Sequence, residues 1–306
     1  MISKAVAKRV IAAAALRLPW GAQRAVFDAL CDGMVPGEAL TRAAAKAGIT
    51  GFSAPGQWGV VQSAATDRKV LLTYAQTGDW ARRSHEVFER FFAEDGGTFL
   101  DLGANIGLTT LPVARNPCVQ CFAFEPDPTN YANLDANIRR NAVHGNVRTF
   151  NLALLDRRGF VPFGLAEEGN LGDHRVMAPG SPQSTMQVEA APLDELDLPI
   201  KGRLGVKMDT QGAEPAIIVG GRAILKQVSL MVLEFQPYLI AQLGGDPDEV
   251  IQYISGFDRV AVLPGESEGD LVYNTADKAC ETMREVYKAA KDDVFTYVDV
   301  YAERSV

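Results

Sequence analysis

Four acids in this chain stand where acids can act on a bound molecule. Asp101 ends the apolar run Thr98-Phe-Leu, ahead of a turn punctuated by Gly103 and Gly107. Glu125 ends a second run, Phe122-Ala-Phe, 24 positions after Asp101. Asp209 ends a third, Val206-Lys-Met, and Glu234 closes a fourth in the same manner. In α/β folds the carboxyl ends of neighbouring strands face one crevice, so acids at those ends can address a single ligand. The spacing from Asp101 to Glu125 matches the roughly 20 residues of one β-α-β unit. Glu125 would then offer two oxygens to the vicinal diol of a ribose.

The turn narrows the ligand. It reads Asp101-x-Gly103-x-x-x-Gly107, and glycines there let backbone approach a bound molecule. The Gly-x-Gly-x-x-Gly fingerprint of dinucleotide sites is absent. A pyrophosphate needs bare amides at a helix N-terminus, with no anion beside them. An aspartate at the strand end suits a ligand carrying an ammonium group, and S-adenosylmethionine (SAM) has an amino acid end, a sulfonium and no phosphate. Asp101, Gly103, Gly107 and Glu125, with the neighbouring Pro126, are the cofactor contacts this reading selects. Asn151 and Ala153, at the end of the next strand, stand where adenine would stack or hydrogen bond.

Asp209 faces the transferred group. It can touch the cofactor, orient a substrate hydroxyl, receive its proton or hold a metal. Glu234 can converge on the same hydroxyl. Asp209 and Glu214 can equally act at a helix N-terminus. His174 is a third candidate proton acceptor, since imidazole titrates near neutral pH. Cys118 and Cys121 form a Cys-x-x-Cys without a second ligand pair, so they read as ordinary thiols and no metal site is assigned.

Strands must carry these acids. Apolar runs at 98–102, 120–125, 147–154, 204–209, 229–235, 257–263 and 294–302 alternate with helical segments. That alternation predicts a Rossmann-like, seven-stranded, mostly parallel sheet with helices on both faces and an antiparallel final hairpin. A further short strand is expected at 70–74, a helix opening at Leu108, and a helix at 215–226. Residues 1–68 read as an N-terminal helical cap, with Ala-rich helices at 5–16, 22–32 and 37–47, serving as a cap or homodimerisation element. The catalytic domain is expected over 69–306. Its section 156–201 is long and rich in glycine and proline, with a possible hairpin of 160–165 on 184–190, and it reads as a substrate lid.

The 306 residues carry a net charge of −8, with 47% hydrophobic and 22% charged side chains. This balance argues against nucleic acid as the main partner. No run approaches the ~20 apolar residues of a membrane span. Four scattered cysteines fit a reducing, cytoplasmic setting.

Several ordered motifs carry a resemblance: Phe99-Leu-Asp-Leu-Gly-Ala-Asn-Ile-Gly107, Phe124-Glu-Pro-Asp-Pro128, Leu152-Ala-Leu154 and Leu193-Asp-Glu-Leu196. Val206-Lys-Met-Asp209 with Gly212-Ala-Glu214, and Leu233-Glu-Phe-Gln-Pro237, continue it. Together, over about 69–263, they resemble the FkbM-type methyltransferases, class I SAM-dependent enzymes that mostly methylate oxygen. The resemblance implies SAM at Asp101, Gly103, Asn105 and Glu125. The chain departs from the family pattern at Gln211, where an acid is usual; a glutamine keeps hydrogen bonding and loses the charge a metal or base would need. The expected function is O-methylation of a hydroxyl on a sugar, polyketide or other small-molecule or glycan acceptor. The rival readings are a catalytically silent SAM-fold binding or scaffold protein and an NAD(P)-dependent oxidoreductase, the latter disfavoured by the missing third glycine.

Overall fold

The computed structural model describes residues 44, 47–142, 144–165, 170–183, 186–265, 269–290 and 293–304. The helices expected at 5–16 and 22–32 lie outside these residues, as does most of 37–47. The described chain opens with strands β1 (Gly51–Gly56) and β2 (Gly59–Ala64), then helices α1 (Val70–Thr77) and α2 (Arg82–Phe92). Strand β3 (Gly97–Leu102), helix α3 (Thr110–Val113), β4 (Val119–Phe124), α4 (Pro128–Asn141) and β5 (Val147–Phe150) form the first half of the main sheet and its helices. A second set follows: β6 (Ala153–Leu154), β7 (Gly159–Gly164), β8 (Arg175–Val176) and β9 (Met186–Ala191). The chain then returns to the main sheet with β10 (Leu204–Met208), α5 (Glu214–Gly220), α6 (Arg222–Leu225) and β11 (Leu230–Phe235). Helices α7 (Pro237–Leu243) and α8 (Pro247–Ile254) precede β12 (Arg259–Pro264), β13 (Asn274–Thr275), α9 (Ala276–Ala289) and β14 (Val298–Glu303).

The main sheet has the order β13-β12-β14-β11-β10-β3-β4-β5. Strands β11, β10, β3, β4 and β5 pair in parallel, while β14 lies antiparallel between β11 and β12. The seven expected strands are thus joined by the two-residue edge β13. Strand alternation divides the core. Leu100, Leu102, Phe122, Val206 and Met208 face one way, against Ile217 of α5 and Ile251 of α8. Phe99, Cys121 and Val232 face the other way, against Phe88 and Phe92 of α2. Helices therefore cover both faces.

Five local expectations change. Residues 51–64 form an antiparallel hairpin rather than part of a helical cap. Gly59 has φ +109, a conformation suited to glycine at a tight turn, and Val60 and Val61 favour strand. Helix α4 stands in for a third strand: Asn137 and Asn141, one turn apart, each accept from one backbone N–H of β2 and donate to its carbonyl, at Gln62 and Val60 respectively. Residues 70–77 are helical rather than extended, because the Asp67 carboxylate accepts from the backbone N–H groups of Lys69, Val70 and Leu71, a cap for the first turn. The expected strand 147–154 breaks at Asn151, so β6 leaves the main sheet. Helix α3 begins at Thr110, two residues after Leu108, and the helix expected over 215–226 is interrupted at Gly221.

The section 156–201 is largely built. Strand β7 pairs antiparallel with β9, from Gly159 opposite Ala190 to Phe163 opposite Met186, as the hairpin expectation has it. With β6 and β8 they make a four-stranded sheet of order β6-β9-β7-β8.

Candidate active site

The ends of β3, β4 and β10 open onto one cleft of about 870 Å³, its mouth included. Gly103, Asn105, Glu125, Pro126, Lys207 and Asp209 are among its lining residues. The turn after β3 carries Gly103, Asn105 and Gly107 at φ +84, +50 and +92. A Cβ on Gly103 would fall 1.9 Å from the carbonyl oxygen of Asp209, so glycine is what lets the ends of β3 and β10 approach. Asparagine tolerates the left-handed region better than most residues; its Oδ1 here accepts from the Ile106 N–H at 2.7 Å.

Glu125 is 5% exposed. Its Oε2 accepts from Asn105 N–H at 2.9 Å and its Oε1 from Asp127 N–H at 2.8 Å. A carboxylate has about four lone-pair positions, so each oxygen keeps one for a ribose hydroxyl. Burial pushes its carboxyl up to about 8, because the charged form loses water. Leu152, Ala153, Leu154 and Phe163 continue the cleft as an apolar wall. The wall and the buried acid fit the adenosine half of SAM: a flat apolar base beside a diol.

A strap closes this end. The Leu171 carbonyl accepts from Asn105 Nδ2 at 3.2 Å and from Asn130 Nδ2 at 3.0 Å. His174 lines the cleft with a side chain 7% exposed, and its Nδ1 lies 3.3 Å from Asp127 Oδ2. Asp127 also accepts from the Asn130 N–H at the start of α4. Burial alone would raise the Asp127 carboxyl, but His174 and the backbone N–H groups outweigh it and hold it below the usual range. His174 is thus linked through Asp127 to Glu125, and its side chain is buried.

At the other end, Asp209 is about one-third exposed. Its Oδ1 accepts from Gln211 Nε2 at 2.8 Å, and its Oδ2 lies 3.3 Å from Lys207 Nζ. The same Gln211 nitrogen donates to Glu234 Oε1 at 2.9 Å. Burial, then Asp209 and Asp299, raise the Glu234 carboxyl well above its ordinary value. Gln211 holds φ +57, an uncommon conformation for a residue with a side chain. Glu214 is a helix-end anchor: its carboxylate accepts from Thr210 N–H, Thr210 Oγ1 and Gly212 N–H.

Four expected contacts do not line the cleft. Asp101 is fully buried beneath the turn, where Thr110 Oγ1 donates to its Oδ2 at 2.6 Å and Lys207 Nζ stands 3.8 Å from its Oδ1. The ammonium that Asp101 faces is therefore the chain's own. Gly107 packs on α4, where a Cβ would meet Leu134 at 2.8 Å. Asn151 donates from Nδ2 to the carbonyls of Glu125 and Pro126, and Glu234 sits behind Gln211. These residues shape the site from outside it.

Lys207 and Asp127 escaped the sequence reading. Lys207 had a visible signal, a lysine inside an apolar strand, two residues before Asp209 and so on the same face. Asp127 and its partner His174 are far apart in sequence, and only the fold joins them.

The parallel sheet, the glycine turn and the buried acid at the second strand end define a nucleoside-binding α/β enzyme of the SAM-dependent class. A family model described as the methyltransferase FkbM domain matches residues 101–261, and the chain belongs to that family. It is a SAM-dependent methyltransferase. The chain is 27% identical over 191 residues to the 2-O-methyltransferase NoeI of Sinorhizobium fredii, covering 56% of this chain and 77% of that protein. Among solved structures, it is similar to M. jannaschii TYW2 in complex with AdoMet, with 14% identity, TM-score 0.39 and coverage of 84% and 87%. It is also similar to the StiE O-MT, with 11% identity, TM-score 0.40 and 77% of each chain. Both structural likenesses are distant. Among the described residues no helix is long and apolar enough to cross a membrane.

Proposed function

We propose that this protein methylates a hydroxyl group of a small-molecule or glycan acceptor, with Asp209 receiving the hydroxyl proton. The supporting observation is one cleft with two different acids at its ends: Glu125, buried and held by backbone N–H groups, and Asp209, partly exposed and held by Gln211 and Lys207. Bound in it, SAM supplies a methyl group on a sulfonium, already a good leaving centre. The chain's part is to bind, orient and accept a proton. Glu125 takes the ribose hydroxyls, Gly103 and Asn105 bring backbone against the cofactor, and Pro126 and Ala153 flank the base. Asp101, Gly107 and Asn151 hold that geometry from behind. His174 closes the adenosine end, and Glu234 acts on Asp209 through Gln211. The O-methyltransferase relative favours oxygen as the accepting atom.

The experiment is titration calorimetry with S-adenosylhomocysteine, combined with turnover of Asp209→Asn. The variant should bind S-adenosylhomocysteine as the parent does and lose roughly 10²–10⁴-fold in rate, the usual worth of a positioned proton acceptor. An unchanged rate removes Asp209 from that role.

A further inference from the structure

Beyond Gln211 a second cleft opens, about 700 Å³ with its mouth included, and it shares Arg175, Val176 and Gln211 with the first. One wall is α7, through Tyr238, Leu239, Gln242 and Leu243; the other runs from β8 to Gln183. We propose that this second cleft is the acceptor subsite and that it takes a neutral, polyhydroxylated glycosyl group. The inference rests on the hydroxyl-methylation reading above.

Position comes first. Glu125, at the end of β4, and Asp209, just past the end of β10, both line the main cleft. Gln211 is the common wall, and its Nε2 holds the Asp209 carboxylate at 2.8 Å. A group seated in the second cleft can therefore present a hydroxyl to Asp209 along Gln211, the residue that lines both clefts and holds the Asp209 carboxylate. The left-handed backbone at Gln211 is strain of the kind that persists where surrounding structure fixes a functional position.

Chemistry comes second. The amides of Gln183 and Gln242 each donate and accept hydrogen bonds, and so do the hydroxyls of Ser181 and Tyr238, while Gln211, whose two amide hydrogens go to Asp209 and Glu234, offers its Oε1 as an acceptor. A sugar hydroxyl also does both, so a glycosyl ring can satisfy such a wall on several sides. Among the described residues no carboxylate lines this cleft and Arg175 is its one cation, which leaves an acceptor amine without a counter-charge there. A flat apolar acceptor would leave the amide groups facing it without partners. Tyr238 is half-buried, and its ring gives an apolar platform with a polar tip.

The test is saturation-transfer NMR on the full chain loaded with S-adenosylhomocysteine. The probes are methyl α-mannoside, methyl α-fucoside and methyl β-galactoside, set against benzyl alcohol and guaiacol. At least one glycoside should receive saturation and the aromatic alcohols should not. Gln242→Trp, made on an exposed helix position, and Ser181→Trp, made on the opposite wall, should each abolish the glycoside signal while S-adenosylhomocysteine affinity stays at the parent value. Silence of all three glycosides, preference for the aromatic alcohols, or a glycoside signal that survives both substitutions overturns the proposal, and methyl transfer to some other hydroxyl stands. Failure of the parent protein to bind S-adenosylhomocysteine overturns the methyl-transfer reading and this proposal with it.

Discussion

Lys207 reaches across from β10 to β3 and donates from Nζ to the Gly103 carbonyl at 2.7 Å. The same ammonium lies between Asp209 and the fully buried Asp101. Burial alone would lower its pKa, yet Asp209 and Asp101 together raise it. One side chain thus fastens the glycine turn after β3, partly offsets the burial of the acid beneath it and flanks Asp209, the proposed proton acceptor.

Lys207→Met should consequently destabilise the protein more than its loss of hydrogen bonds suggests. It leaves Asp101 buried without a counter-charge, and breaking a buried pair typically costs about 3–5 kcal/mol. Urea unfolding measures this. A loss below about 1 kcal/mol would match an exposed pair and contradict the role given to Lys207.

Glu125→Ala should weaken S-adenosylhomocysteine binding by about 2–3 kcal/mol, roughly 30- to 150-fold, the worth of hydrogen bonds to a charged group. Calorimetry reads it directly. Equal affinity in the variant would place the ribose elsewhere.

Glu125 also sets a pH dependence. Its folded value is about 8 against an ordinary 4.5, so the folded ligand-free protein prefers the protonated acid. The stability this contributes is complete below about pH 4.5 and is lost as pH rises through about 8. Glu125→Gln should flatten that part of the stability-against-pH curve. Ribose hydroxyls donate best to the ionised form, so S-adenosylhomocysteine should bind more tightly as pH rises across this window and release protons on binding. Calorimetry in buffers of different ionisation enthalpy counts them; proton uptake would refute the linkage.

Gln211→Glu places a third carboxylate between Asp209 and Glu234, where an amide now donates to both. The melting temperature should fall, and fall further at high pH, because protonation relieves like-charge repulsion. Gln211→Met, which removes the donor without adding charge, should show a smaller loss with little pH dependence. Equal pH profiles for the two variants would rule out the electrostatic cause.

The strand ends were legible in the sequence because each is a local event, an apolar run stopped by an acid. Glu125 and Asp209 stand at strand ends lining the cleft on that ground, and the sheet that carries them follows from the same alternation. Asp101 was legible as a strand end but not as a buried acid, since its partner Lys207 arrives from another strand. The hairpin at 51–64 and helix α1 were obscured for a related reason. Val70-Leu-Leu-Thr-Tyr reads as strand by composition, while the Asp67 cap and the burial of Leu71 and Tyr74 make it a helix. His174 shows the limit: its residue type suggests proton transfer, and only the fold brings it to Asp127, beside Glu125.

Strand β14 lies between β11 and β12, pairing with both, although it follows them in the chain. The two earlier strands have no ladder to each other, so this side of the sheet stays parted until β14 is available to wedge between them. Assembly there is a late, long-range closure of the kind that slows folding. A growing chain would hold the cofactor half of the sheet, β3 to β5, ready well before the half that carries α7 and the acceptor wall is locked in place.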